Sequence, residues 1–358
     1  MKKIISILSI VICVQITTSI HAAVHADIKN NVKNYFNQLS DGGFSGNILV
    51  EHKGEIIFLG SAGFSDKDKG IKINQQTVFD IGSLTKQFTA AAILKLQMNN
   101  KLSVQDTLSK YFDQVPQDKA HITLHQLLTH SSGLTPSIGD DYESISDANF
   151  TQKALAGKLL FQPGTQYEYS NVGYSLLTLI IEQVSGESYE TYLHKHLWQP
   201  SGMFKTGYTA PQYKQETIAI GYQDDRAWGR PNEKSWNKNA PFLNLKGNGG
   251  LLSTVMDLYH WHKALSGSNI LSNTAQQQMY QKHIPEGEGA NSFYGYGWAI
   301  FPTARQTELI AHNGGNGIFF ADMWRYLTED LTIIVLTNKA NDDSERITGE
   351  IAQLVLNP

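Results

Sequence analysis

The chain is nearly devoid of thiol: its 358 residues include one cysteine, Cys13, inside an apolar N-terminal run. If that run is removed, the rest can form no disulfide, no Cys-ligated metal site and no Cys nucleophile. Basic blocks are missing as well. No run of five or more Lys/Arg occurs, and the net charge is -4, which argues against nucleic acid or an anionic membrane surface as main partner. No Gly-x-Ser-x-Gly elbow exists, which disfavours an α/β-hydrolase. There is no His-Glu-x-x-His and no glycine-rich phosphate loop ending in Lys-Ser or Lys-Thr. Of the 12 His, the pairs His194/His196 and His260/His262 fall in expected helices, where i and i+2 do not face each other. Neither metal nor cofactor is expected. Internal repeats and low-complexity stretches are lacking. After residue 27 no apolar run reaches the roughly 20 residues a spanning helix needs.

What is present is a core. With 41% hydrophobic and 17% charged residues, the chain can form one large domain or two lobes. Lys2 and Lys3, the apolar run Ile4 to Ile16, and Val24-His25-Ala26 before Asp27 have the layout of a secretory signal peptide. The expectation is a leader over residues 1–26, an exported protein, periplasmic or secreted, and no integral membrane segment afterwards. Loss of two lysines makes the mature charge -4 - 2 = -6.

Helical spacing of Ile28, Val32, Tyr35, Phe36 and Leu39 predicts a helix from Asp27 to Leu39. Apolar runs at 46–50 and 56–59 around Gly54 predict a β-hairpin. A helix-rich middle runs from about Ser83 to Ser266, with its longest loop expected at Tyr222 to Asn244. Strand patterns return at 294–300, 317–324 and 331–336, and a last helix is expected at about 344–354. Strands at both ends and helices between them predict a mixed α/β (α+β) fold. Its antiparallel sheet, from both termini, is flanked by helices, and a helical lobe packs against it. The sheet lobe would comprise about 27–82 and 290–358, the helical lobe about 83–289, with the active site where they meet.

Ser83-Leu84-Thr85-Lys86 opens a helix that is apolar nearly all round, through Met98. Residues i and i+3 share a face, so Ser83 and Lys86 point the same way. A serine hydroxyl needs a base to become a nucleophile. A lysine whose pKa is lowered by burial and by the helix N-terminus can serve. The same terminus offers free N–H groups to an oxyanion. Ser-x-x-Lys alone is weak: Ser235-Trp236-Asn237-Lys238 repeats it in a polar loop, and a helix-capping serine is the alternative for Ser83.

Two later motifs bear on this choice: Tyr169-Ser170-Asn171, and His312-Asn313-Gly314-Gly315 ahead of two strands. The order Ser-x-x-Lys, Tyr-x-Asn, His-x-Gly resembles the serine β-lactamase and penicillin-binding protein superfamily. The Tyr form resembles its class C branch, with D-alanyl-D-alanine carboxypeptidases and esterases. Segments 122–134, Gly249-Gly250-Leu251-Leu252-Ser253-Thr254 and Tyr294-Gly295-Tyr296-Gly297-Trp298 resemble that branch too. The resemblance spans about residues 40 to 340 and implies a β-lactamase/transpeptidase-like fold. It further implies Ser83 as the acylated residue, Lys86 as base or relay, and Tyr169 sharing the proton traffic. Asn171 would hold Lys86 and the substrate amide. His312, Gly314 and Gly315 would line the substrate side, with the N–H groups of Ser83 and Gly315 as oxyanion hole.

Lys205-Thr206-Gly207 fits the third motif more literally, but no strand pair follows it; Tyr35-Phe36-Asn37 and His52-Lys53-Gly54 read as core helix and hairpin turn. His125 and His130 read as residues that fix the turn before Gly133, and Gly247-Asn248-Gly249-Gly250 as a turn lining the cleft. The expected function is hydrolysis of an amide or ester, of D-alanyl-D-alanine carboxypeptidase, peptidase or esterase type. A class C-like β-lactamase and a penicillin-binding receptor with little turnover stay open. Partners would be a small peptide, ester or β-lactam; oligomeric state is unread.

Overall fold

A computed structural model describes residues 26–209, 212–234, 236 and 240–357. The expected leader lies outside the described residues except for Ala26, and so does the second Ser-x-x-Lys except for Trp236. Among the described residues no helix is long and apolar enough to cross a membrane.

The hairpin forms first along the chain: β1 (Gly46–His52) and β2 (Glu55–Ala62) join through Lys53 and Gly54, both at positive φ. Two such residues in a two-residue loop match the right-handed twist of the flanking strands. The sheet is completed by β3 (Ile284–Pro285), β4 (Phe293–Tyr294), β5 (Ala299–Pro302), β6 (Glu308–Gly315), β7 (Phe320–Tyr326) and β8 (Leu331–Thr337). Their order is β2-β1-β8-β7-β6-β5-β4-β3, antiparallel throughout. Thus β1 pairs with β8, and one sheet is built from both ends of the chain.

Both faces are covered, so β1 and β8 are buried at every position. On one face helix α1 (26–41) and the C-terminal helix pack Ile28, Val32, Ile347 and Ile351 against Ile48, Val50, Ile333 and Val335. The alternate residues Leu49, Ile334 and Leu336 point into the larger core on the other face, as the two-residue period of a strand requires. That core holds α2 (Thr85–Met98), whose residues are buried nearly all round. The helices that follow are α3 (Leu124–Leu128), α4 (Asp147–Ala156), α5 (Asn171–Ser185), α6 (Tyr189–Leu193), α7 (Val255–Ser266) and α8 (Asn273–Met279), then α9 (Ser344–Leu356). Helix α2 packs against α5, and α7 lies over β1 and β8.

Local departures from the sequence expectation have local causes. The strand expected at 294–300 is two strands, β4 and β5, because the chain reverses at Gly295–Trp298. Gly297 has φ +73, and a Cβ there would lie 2.7 Å from the Lys86 carbonyl oxygen, so this turn is pressed against α2. The strand expected from Gly317 begins at Phe320, since the Asn316 side chain accepts the N–H groups of Ile318 and Phe319 and holds a turn. Within the expected loop 222–244, Gly221–Gln223 and Arg226–Gly229 form a small hairpin.

Candidate active site

Ser83 sits in a 3₁₀ turn, Gly82–Leu84, rather than in α2 itself. The preceding Phe79–Asp80 pairs with Leu252–Ser253. Asp80 Oδ1 accepts the Gly82 N–H at 2.8 Å, and Thr85 Oγ1 donates to the Gly82 carbonyl at 2.7 Å. Ser83 caps nothing: neither the turn nor α2 has a side-chain cap. Its neighbours are buried while Ser83 itself is partly open. Two glycines bring the end of β6 onto this turn. A Cβ on Gly82 would lie 2.5 Å from the Gly315 nitrogen, and one on Gly314 would lie 2.4 Å from the Ser83 nitrogen. Any side chain at either position would separate the two backbones.

Lys86 is fully buried. Its Nζ lies 3.1 Å from Ser83 Oγ, 2.8 Å from Asn171 Oδ1 and 2.7 Å from the Asn248 carbonyl oxygen. The amine also faces the rings of Tyr169, at 4.5 Å, and Tyr174, at 5.6 Å. Burial drives its pKa well below the lysine range, opposed only by the field of Asp141.

The Tyr169-Ser170-Asn171 segment is pinned from both sides. Ser170 caps α5, the Asn171 N–H donates to the Pro136 carbonyl, and the Ser170 N–H donates to His130 Nδ1 at 3.0 Å. With Nδ1 accepting, the proton of neutral His130 is on Nε2. The His130 ring lies on Tyr169, with centroids 4.2 Å apart, and abuts Tyr174 and Tyr294. Desolvation and then Lys86 depress its pKa. Burial likewise raises the Tyr169 phenol above its usual value, with Ser83 acting the other way. Tyr169 is therefore a protonated phenol at neutral pH, not a phenolate.

His312 is buried on β6. Its Nδ1 donates to the Asn313 carbonyl at 2.5 Å, since a carbonyl has no proton to give. Its Nε2 then accepts from Tyr294 Oη at 2.9 Å. Burial first, then Lys86, lowers its pKa to about 3. Ser83, Tyr169, His312, Gly314 and Gly315 line one cleft of about 700 Å³. Lys86 and Asn171 lie beneath it. Every residue singled out from the three motifs is thus in one place. Lys205 is not: Thr206 Oγ1 bonds Ser253 and Asp257, and Gly207 pairs with Leu252, which makes that segment a structural turn.

Other participants gave weaker sequence signals. The Asn248 carbonyl reaches Lys86 from the Gly-Asn-Gly-Gly turn, where only the glycines hinted at close approach. Tyr294 lies in a stretch with a strand pattern, and its bond to His312 follows from the β4–β5 turn. Asp80 bonds Asn316 Nδ2 through Oδ2 at 3.3 Å, tying the serine turn to the loop after β6; burial pushes its pKa up to about 7. Among the described residues no group of His, Cys, Asp or Glu is arranged to hold a metal ion.

A putative penicillin-binding protein PbpX of Bacillus subtilis (strain 168) is 32% identical over 267 residues, 74% of this chain and 64% of that protein. Penicillin-binding protein 4* of the same strain is 26% identical over 84% of this chain and 69% of its own length. The chain thus spans less than two thirds of the first relative's length. The octameric penicillin-binding protein homologue from Pyrococcus abyssi superposes with a TM-score of 0.77 at 27% identity, over 92% of this chain and 77% of that one. A β-lactamase/D-alanine carboxypeptidase from Pseudomonas syringae, 18% identical with a TM-score of 0.77 over 93% of this chain and 98% of that one, shares the fold. The profile described as Beta-lactamase matches residues 32–356, and the chain belongs to the β-lactamase family.

Proposed function

We propose that this protein hydrolyses an amide or ester bond of a D-amino-acid derivative or related ester through an acyl-enzyme on Ser83. One observation carries the reading: the surroundings of the Lys86 amine. A neutral amine has two N–H donors and one lone pair. Asn171 Oδ1 and the Asn248 carbonyl oxygen accept the two hydrogens. The lone pair is left for the third neighbour, the Ser83 hydroxyl at 3.1 Å. A base of suppressed pKa is then aimed at the proton of the attacking oxygen.

In this mechanism Ser83 Oγ attacks the carbonyl carbon as its proton passes to Lys86. The N–H groups of Ser83 and Gly315 receive the developing oxyanion. Tyr169 gives its phenolic proton to the leaving group while regaining one from Lys86, a relay that suits a phenol of raised pKa. Water then attacks the acyl carbon, its proton returns through the same pair, and Ser83 is released. The family's members are generally serine hydrolases, which supports the class of reaction but not one substrate.

The test is turnover of a short-chain nitrophenyl ester by the purified protein, with intact-mass detection of the acyl adduct. Ser83→Ala should lower turnover by about 10³-fold or more and abolish the adduct. A variant within about twofold of the parent would sink the proposal. A fluorescent penicillin held for hours without ester turnover would point instead to a receptor that is acylated and not released.

A further inference from the structure

We propose that the cleft excludes substrates with a free carboxylate beside the scissile bond and takes those whose leaving side is neutral or cationic, amides and esters rather than peptides with a free C-terminus. This deepens the Ser83 reading and rests on it.

The cavity at Ser83 has Asp342 and Glu345 in its wall. A second cavity of about 350 Å³ shares Tyr169, His312, Asn313 and Glu345 with it and adds Glu286 and Asp322. Among the described residues, neither cavity is lined by a lysine or arginine. A carboxylate leaving water for such a wall meets acidic side chains and no countercharge, and an unpaired charge is costly to desolvate.

The two groups that could have supplied a countercharge are withdrawn from that task. Lys86 lies beneath the cleft with its amine committed to Asn171, Asn248 and Ser83. His312 has both ring nitrogens engaged, one by the Asn313 carbonyl and the other by the Tyr294 hydroxyl. A substrate carboxylate therefore finds no free imidazole N–H there. The side-chain amides on that wall, Asn313 and Asn341, are neutral. Asp322 reports the same environment: burial pushes its carboxyl up to about 7, with no cation beside it to bring it down.

The experiment uses three esters of one acyl group with phenols that carry, at the meta position, a carboxylate, a carboxamide or an aminomethyl group. Rates are normalised to each ester's reaction with hydroxide. The carboxamide ester should exceed the carboxylate ester in kcat/KM by about tenfold or more, as like-charge juxtaposition requires, and the aminomethyl ester should equal or exceed the carboxamide. A carboxylate ester turned over as well as its carboxamide overturns the inference. Ser83→Ala separates the two levels: Ser83-dependent but charge-blind turnover sinks this inference alone, while turnover retained without Ser83 sinks the reading beneath it. In Glu286→Gln/Glu345→Gln the carboxamide-to-carboxylate ratio should fall by about threefold or more as two repelling charges are removed. An unchanged ratio overturns the assignment to these side chains.

Discussion

Among the buried basic groups of the described residues, two centres are treated in opposite ways. Lys86 has only neutral acceptors around its nitrogen, and Asp141 acts on it from a distance. The other centre lies across β1, β8 and β7, where Glu51, Thr332 and Arg325 are cross-strand neighbours and His262 of α7 covers them. Arg325 is 1% exposed and donates from Nε to His262 Nδ1 at 3.1 Å. His262 Nε2 faces Glu51 at 3.3 Å, and Lys263 reaches the same carboxylate at 3.5 Å. Burial alone would raise the Glu51 pKa, but His262 and Lys263 outweigh it and hold the carboxyl below its usual range. Similar burial thus gives a suppressed base in one place and a retained ion in the other. The difference lies in whether a countercharge was buried alongside.

The largest effect expected from breaking this contrast is at the neutral centre. Lys86→Met should lower acylation by about 10²- to 10⁴-fold, the range of a lost general base. Thermal stability should be kept or raised, because an apolar side chain replaces a desolvated amine. Burst kinetics with a nitrophenyl ester, beside a melting curve, check both. The parent's pH profile adds a sign. A base works when deprotonated, so kcat/KM should be high above the Lys86 pKa and fall as pH drops through it. Since that pKa is well below 10.5, an activity limb still near 10 would contradict the argument. At the ionic centre, Glu51→Gln should cost about 2 kcal/mol of stability by removing the buried carboxylate that faces His262, with kcat/KM of the folded enzyme little changed. A carboxyl of lowered pKa stabilises the fold above its ordinary value of 4.5, and that contribution is lost as pH falls through the folded pKa. The gap between parent and variant in urea denaturation should therefore close at acid pH.

What the sequence displayed of these two centres differs for a physical reason. Lys86 was legible because its serine partner is local, one turn away, and a lysine in the first turn of a helix that is apolar nearly all round is conspicuous. Tyr169, Asn171 and His312 came through a resemblance whose motifs keep their order along the chain. The sheet built from both termini was legible from the apolar runs of β1 and β8 at opposite ends of the chain. Glu51, Arg325 and His262 were not, since each is an unremarkable polar residue until strand register sets them opposite one another. The Asn248 carbonyl was beyond reach for another cause, a backbone atom having no letter in the sequence. Tyr169 shows the limit of the motif itself. Its place in the motif implied a share in the proton traffic but not the form of the group, and burial leaves a protonated phenol beside a lysine of suppressed pKa.

Smaller effects sharpen the comparison at His312. His312→Ala should lower kcat/KM for a neutral ester by about tenfold through loss of a packed, hydrogen-bonded wall. Lys205→Ala, in a turn remote from the cleft, should stay within about twofold by the same assay. The reverse order would mean that the wrong third motif had been placed at the site. Tyr294→Phe isolates the finest point. The Tyr294 hydroxyl occupies the Nε2 lone pair of His312 and so opposes its protonation, much as two carbonyl oxygens fix the direction of the Lys86 lone pair. Without it, titration of the His312 ring protons followed by NMR should move up from about 3 toward the ordinary 6.5. Activity on a neutral ester should change by only about threefold, the size of one hydrogen bond. An unmoved titration would show that burial and Lys86 alone hold this imidazole neutral, and that the tyrosine contributes shape rather than electrostatics to the wall.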